Sequence, residues 1–257
     1  MKSKVKKNDV EFGNWMRQFY NKKAKNISEK GYEYARWFST PKKRIQYKFT
    51  IKSLIYHLRD IKFKKCLEVG CGPGTWTKLL LYKYPNASFT SLDISKEMIS
   101  QFKQNINEKK KVKTIVNNFL DYNFKNEKFD FIFCSRAIEY IPNKSAVIEK
   151  FNNLLENGGK GIIISSPPHP KILAMKKFIG KKANIQHIKR ISVKNIGFLL
   201  KKNGFTKIKF YPILFSDFFL VPRKFFFRTL YRRRWGILSK MFASGYIVKF
   251  EKPNEKY

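Results

Sequence analysis

Acids are what this 257-residue chain has least of: 18 aspartates and glutamates stand against 55 lysines and arginines, a formal charge of +37 at pH 7. An AT-rich coding bias accounts for lysine over arginine and for the abundance of Asn, Ile, Phe and Tyr. It leaves the missing acids unexplained, since glutamate is drawn from similar codons. Such a charge favours an anionic partner, either nucleic acid or a membrane surface. Cysteine is sparse too. Cys66, Cys71 and Cys134 form an odd set without metal-ligand spacing, which argues against disulfides and a zinc site and for a reduced, cytoplasmic protein. No apolar run reaches the roughly eighteen residues of a spanning helix. The opening Met-Lys-Ser-Lys-Val-Lys-Lys lacks the apolar stretch of a secretory signal.

What is present centres on Cys66-Leu-Glu-Val-Gly-Cys-Gly-Pro-Gly-Thr-Trp-Thr77, an apolar run that breaks into glycines at alternate positions and continues in helix-forming sequence. The pattern reads as strand, tight loop and helix. Gly70, Gly72 and Gly74 admit backbone angles closed to other residues and let a ligand lie against the main chain. The following helix presents unpaired N–H groups that favour a negatively charged group. A dinucleotide fingerprint needs glycine where Thr75 stands, and a P-loop needs Gly-Lys-Ser/Thr at its end. Glu68-Val-Gly-Cys-Gly-Pro-Gly74 instead closely resembles the first motif of class I S-adenosylmethionine-dependent methyltransferases. A structural glycine turn in some other α/β protein is the plainer alternative.

Further landmarks follow in the order that this resemblance implies. Ser88–Asp93 reads as a second strand ending in an acid, where doubly wound sheets bind ribose hydroxyls. Asp93 also suits the cap of a helix beginning near Ser95, and the two roles are compatible. Val112–Asn117 reads as the third strand, with Asn118 where the family commonly has the acid that accepts a bond from the adenine amino group. Phe119 and Ile94 are placed either against the adenine ring or in the core. Phe129–Ser135 reads as the fourth strand, which puts Cys134, Ser135 and Arg136 at the mouth of the cleft. Neither Asn/Asp-Pro-Pro-Tyr nor Pro-Cys follows that strand, which excludes the adenine-amino and cytosine-carbon variants. A helix over 146–155 is expected to stop at Asn157-Gly158-Gly159, before a fifth strand at Gly161–Ser165. Ile196, Leu199 and Leu200 mark a helix stopped by Gly204, and the last strands are expected at Thr206–Tyr211 and Tyr246–Glu251.

The resemblance covers about residues 62–212 and resumes in the last strand. It implies an α/β, Rossmann-like, doubly wound sheet of seven mostly parallel strands with an antiparallel last one. Residues 1–60 are read as an N-terminal helical cap and 61–257 as the cofactor-binding domain, with insertions at about 167–190 and 212–243. The cap rests on Phe12, Trp15, Met16, Phe19 and Tyr20 at helical spacing, followed by an apolar stripe from Ile45 to Leu58. His57, beside that stripe, is read as a packing residue.

The implied cofactor is S-adenosyl-L-methionine. The resemblance assigns Glu68, Gly70, Cys71, Gly72, Gly74, Asp93, Ile94, Asn118, Phe119 and Ser135 to its site, with Glu68, at the strand end beneath the glycines, complementing the ammonium group or bonding the loop's own N–H groups, two compatible readings. Methyl transfer is an in-line displacement that needs alignment more than acid–base machinery. If the acceptor is a hydroxyl or an acidic carbon, His169, His187, Glu139 and Tyr140 are the candidate bases, each weighed against capping or packing. The reading is a methyltransferase acting on a lipid, quinone-precursor or other small membrane-associated acceptor. An RNA methyltransferase and a non-catalytic binding protein of the same fold are the alternatives. Within 211–243, Phe226, Phe227, Leu230 and Tyr231 lie on a helical face opposite Arg228, Arg232 and Arg233. That pattern suits a helix in an anionic membrane interface, peripheral at the inner face, and competes with a lid and an RNA-binding face.

Overall fold

The computed structural model describes residues 2–25, 31–107, 111–168, 190–214 and 243–254, together with Arg232, Arg234 and Gly236. The chain opens with α1 (Lys2–Lys25), a short turn α2 (Gly31–Glu33) that widens into a π-type turn at Tyr34–Phe38, and α3 (Pro41–His57). The Thr40 side chain accepts the Lys43 N–H to cap α3, and Pro41 takes the first helical position, where a missing N–H costs nothing. Then come β1 (Lys65–Val69), α4 (Thr75–Lys83), β2 (Ser88–Asp93), α5 (Lys96–Asn105), β3 (Val112–Val116), β4 (Phe129–Ser135) and α6 (Lys144–Leu154). The described elements end with β5 (Leu155–Ser165), α7 (Val193–Lys202), β6 (Thr206–Leu214) and β7 (Ala243–Glu251).

The strands form one seven-stranded sheet in the order β3-β2-β1-β4-β5-β7-β6. Strand β7 runs antiparallel to both neighbours, and the other pairs are parallel. This is the Rossmann-like sheet implied by the sequence. Helices cover both faces, so the inner strands are apolar on both sides, and period-two alternation divides their residues between two cores. Cys66, Phe131, Phe133, Ile162 and Ile164 pack with Leu54, Leu80 and Phe102 of α3, α4 and α5. Leu67, Val69, Ile132, Cys134 and Ile163 pack with Phe151, Ile196 and Leu200 of α6 and α7. His57 is buried, its ring centroid 4.0 Å from that of Tyr211.

Two expected boundaries are corrected. Asn157-Gly158-Gly159 stops no helix, because α6 ends at Leu154 and these residues belong to β5. There the Gly158 N–H donates to the Lys252 carbonyl at 3.0 Å, and the Lys252 N–H returns to Gly159 at 2.8 Å. Pairing with the far end of the chain satisfies backbone groups that a glycine cap would otherwise serve. Likewise, β6 runs on to Leu214 and β7 starts at Ala243, so the extension placed at 212–243 begins inside a strand. Pro212 is tolerated because β6 lies at the sheet edge.

Candidate active site

Neighbouring connections diverge between β1 and β4, and ligands of such sheets bind outside the carboxyl ends at that point. A cavity of about 510 Å³ lies there, within the range that holds a drug-sized ligand. The glycine loop forms one wall. Its Gly70 and Cys71 N–H groups both donate to the Leu92 carbonyl, at 2.7 and 3.1 Å, which docks the loop on the end of β2. The glycines serve different ends. A Cβ at Gly70 would stand 2.2 Å from the Ala137 Cβ, whereas one at Gly72 would meet nothing within 4 Å. Gly72 thus leaves main chain open to the cavity at φ 55, while Gly74 caps α4 against Phe102 and Ile106, outside the cavity wall.

Asp93 joins loop and sheet. Its carboxylate accepts the Gly72 N–H at 2.9 Å and the Ser95 N–H at 2.9 Å, while the Ser95 hydroxyl itself caps α5 by accepting from Met98. Burial raises the Asp93 pKa, and the backbone donors pull against that rise. Glu68 lies beneath the loop, where the sequence places it, and outside the cavity lining. Its Oε2 accepts from Thr77 Oγ1 at 2.5 Å and Ser91 Oγ at 3.3 Å, and its buried Oε1 has no hydrogen-bond partner among the described residues. Burial raises its pKa to about 7. Its visible work is to tie β1 to α4 and β2.

At the opposite end, Ile94, Met98, Asn118, Phe119 and Asp121 line the cavity. Asn118 is engaged on both sides, accepting the Leu120 N–H at 3.2 Å and donating to Asp121 Oδ2 at 2.9 Å. Phe119 belongs to the core as well, with its centroid 5.4 Å from that of Phe151. Helix α1 supplies a third wall through Gly13, Met16 and Tyr20. It is held on α5 by the Ser95 hydroxyl donating to Asn21 (2.7 Å) and by Gln101 Nε2 donating to the Ala24 carbonyl (3.2 Å). Phe12, Trp15 and Phe19 stack along the same helix instead, and Trp15 stays 38% exposed.

Ser135, Arg136 and Tyr140 complete the mouth. The Tyr140 ring meets Tyr20 edge-on with centroids 5.5 Å apart. Glu139 is buried and engaged: its Oε1 accepts from the Ser166 N–H (2.7 Å), the Ser165 hydroxyl (3.2 Å) and Arg136 Nη1 (3.3 Å). His169 and His187 lie outside the described residues. Sequence reasoning passed over Tyr32, Arg36 and Trp37, which also line the cavity. The available signal was an arginine flanked by aromatics, in an N-terminal segment otherwise dominated by lysine. Cys71 also lines the wall, but burial pushes its thiol well above the ordinary range, which disfavours a reactive thiolate.

Residues 66–159 match the family described as a methyltransferase domain. An uncharacterized protein of Methanocaldococcus jannaschii is 32% identical over 188 residues, covering 72% of this chain and 83% of that one. The chain belongs to the class I S-adenosylmethionine-dependent methyltransferases. Malonyl-[acyl-carrier protein] O-methyltransferase 2 of Ilyobacter polytropus is 34% identical to this methyltransferase over 93 residues, a match confined to 36% of each chain. In fold, this methyltransferase is similar to the plantazolicin methyltransferase BpumL, solved with S-adenosylhomocysteine and a monoazolic desmethylPZN analog. That likeness has a TM-score of 0.62 at 18% identity and covers 98% of this chain and 99% of the other. The methyltransferase uses S-adenosylmethionine, and the cavity fits it: open main chain at Gly72, a half-buried carboxylate at Asp93 and an apolar end at Ile94 and Met98.

Proposed function

We propose that this methyltransferase acts on a small, lipid-like acceptor that enters the cavity beside Tyr20 and Tyr140. In this reading, Asp93 accepts from the ribose hydroxyls, the loop at Gly70, Cys71 and Gly72 takes the methionine end, and Ile94, Asn118 and Phe119 surround the adenine. The cofactor supplies an activated methyl on a sulfonium, and the chain's part is to align it with the acceptor and exclude water. One observation carries the acceptor class: a largely apolar cavity walled on one side by α1, with Met16 and Tyr20 in its lining and the Tyr20 ring against Tyr140. Such a wall leaves room for a small or chain-like molecule and, among the described residues, forms no open basic groove for a nucleic acid. Labelled cofactor offered to a total lipid extract and to total RNA tests the reading. Label is expected in the lipid fraction, and label confined to RNA would replace this acceptor class with the other.

The same reading places the protein at an anionic membrane surface, from the charge of +37 and from the aromatic and basic pattern of 211–243. Flotation with vesicles is expected to require anionic lipid, to weaken with salt, and to drop when Phe226, Phe227 and Leu230 become serine. Equal flotation by the triple variant would reduce the attraction to generic lysine charge.

A further inference from the structure

Helix α3 carries five lysines and arginines and no acid. Arg44, Lys48 and Lys52 follow at every fourth position, exposed on the face opposite buried Thr50, Leu54 and His57. Like charges at that spacing weaken a helix, and none of the three has an acidic partner among the described residues. The row continues past the helix end to exposed Arg59, whose guanidinium lies 4.0 Å over the Tyr56 ring, with that of Arg232 5.4 Å from the same ring. The sheet repeats the pattern. Lys209 of β6 stands directly opposite Lys249 of β7, and Lys160 of β5 lies one diagonal step from Lys249, which pairs with Ile162. Opposed like charges destabilise a strand pair. Alternation puts these lysines on the face that Ile162, Tyr211 and Ile247 turn toward α3, and the Lys249 amine donates to the His57 carbonyl at 2.8 Å, at the end of that helix. Burial lowers the Lys249 pKa; Asp60 raises it, and Lys209 and Lys160 press it down further.

Coding bias sets how many lysines a chain has; it does not choose positions where they repel one another. The basic strip also has a shape. It runs along the outer face of α3 and steps down, past Arg59, to lysines on a sheet face about one helix diameter, about 10 Å, lower. A flat bilayer resting on α3 does not reach that floor, whereas a flexible polyanion follows the step. We propose that the strip over α3 and the β5-β7-β6 end of the sheet binds single-stranded nucleic acid, in a cell chiefly RNA. Arg44, Lys48, Lys52, Lys160 and Lys209 meet its phosphates, and Tyr56 offers a stacking platform for a base. Phosphate contacts carry no sequence information, and an aromatic ring accepts any base. The strip starts beside Trp37 of the cavity wall, whose ring centroid lies 5.6 Å from that of Tyr47 in α3. From there it runs to Lys160, which pairs with Phe131 in the amino half of β4, away from the cavity. The nucleic acid held there is a docking partner and not the methyl acceptor, so the inference stands apart from the acceptor class proposed above.

Fluorescence anisotropy of the full chain with a labelled single-stranded RNA of about twelve nucleotides tests this. A fourfold variant with Lys48→Gln, Lys52→Gln, Lys160→Gln and Lys209→Gln should bind about 100-fold more weakly at low salt, and the slope of log affinity against log salt should fall by about 3. A control with Lys103→Gln, Lys194→Gln, Lys201→Gln and Lys202→Gln, exposed positions on α5 and α7, has the same net charge and should keep most of the wild-type affinity. Equal losses in the two variants would reduce the attraction to total charge and overturn the proposal, as would a wild-type protein that leaves the RNA unbound. Phosphatidylglycerol vesicles are the second probe. Vesicle binding that falls in the fourfold variant as far as RNA binding does would make the strip a membrane face instead. Lys209→Gln alone should weaken RNA binding and raise the melting midpoint, because it relieves the repulsion from Lys249. A midpoint that falls would overturn the argument that these lysines are kept at the expense of stability.

Discussion

The backbone N–H of Gly72 donates to Oδ2 of Asp93 at 2.9 Å, across 21 positions of sequence. The end of the second strand therefore shapes the glycine loop as well as facing the cavity. Asp93→Ala leaves the Gly72 and Ser95 N–H groups without this acceptor, and the change is expected to cost about 1–3 kcal/mol of stability. It should also lower cofactor affinity about 100-fold, the worth of a lost charge-assisted bond pair. Calorimetry with S-adenosylmethionine and urea melts read the two effects separately. Unchanged affinity would remove Asp93 from the cofactor site.

Gly70 and Gly72 look alike in the motif but answer to different constraints. Gly70→Ala drives a Cβ into Ala137 at φ 73, combining a left-handed penalty of about 1–2 kcal/mol with overpacking of about 1–3 kcal/mol. Adding Ala137→Gly should recover the packing part and leave the conformational part. Gly72→Ala should show the conformational part alone, since its Cβ would meet nothing within 4 Å. Denaturant midpoints of the three variants measure this, and a double variant no more stable than Gly70→Ala would disprove the clash.

Glu68 makes stability depend on pH in a defined direction. Its folded pKa of about 7 lies above the ordinary 4.5, so between these values the folded state keeps a proton that the unfolded chain has released. Its stabilising contribution is complete below pH 4.5 and is lost as pH rises through about 7, a change of about 3 kcal/mol. Glu68→Gln stays neutral and should flatten that part of the profile. A variant whose melting temperature falls with pH as steeply as the wild type would show that another group is responsible.

Asn118→Asp restores the acid common in the family, yet the structure argues against a gain. Asn118 Nδ2 donates to Asp121 at 2.9 Å, and an aspartate there would set two carboxylates against each other. A cost of about 1 kcal/mol is expected for the lost bond and the like charges. Combining the change with Asp121→Asn should recover it by reversing the pair. Thermal melts and cofactor titrations of both variants check this, and a single variant that binds more tightly with no loss of stability would refute it.

The sheet was legible in the sequence where local pattern and tertiary demand agree. β2 and β4 have the bounds read from the sequence, β4 from an apolar run of the kind a parallel strand buried on both faces requires and β2 from its place between Pro85-Asn86 and the acid Asp93. α3 was legible from the apolar stripe between Ile45 and Leu58, and the end of α7 from Gly204, since helical period and capping are short-range matters. Residues 155–159 were misread because the bonds of Gly158 and Gly159 go to Lys252, a partner that local sequence does not contain.

By itself, the sequence determined the family and the order of the elements, for glycine spacing and hydrophobic period act over a few residues. Only the tertiary structure decided what the functional residues do. It bonded Glu68 to Thr77 and Ser91, turned Asn118 toward Asp121, and brought Tyr20, Tyr32 and Arg36 from the N-terminal segment to the same cavity as Arg136 and Tyr140. It also divided one buried carboxylate, Glu139, between Arg136 and Arg190. Charge balance depends on distance and burial, and neither is defined until the chain has folded.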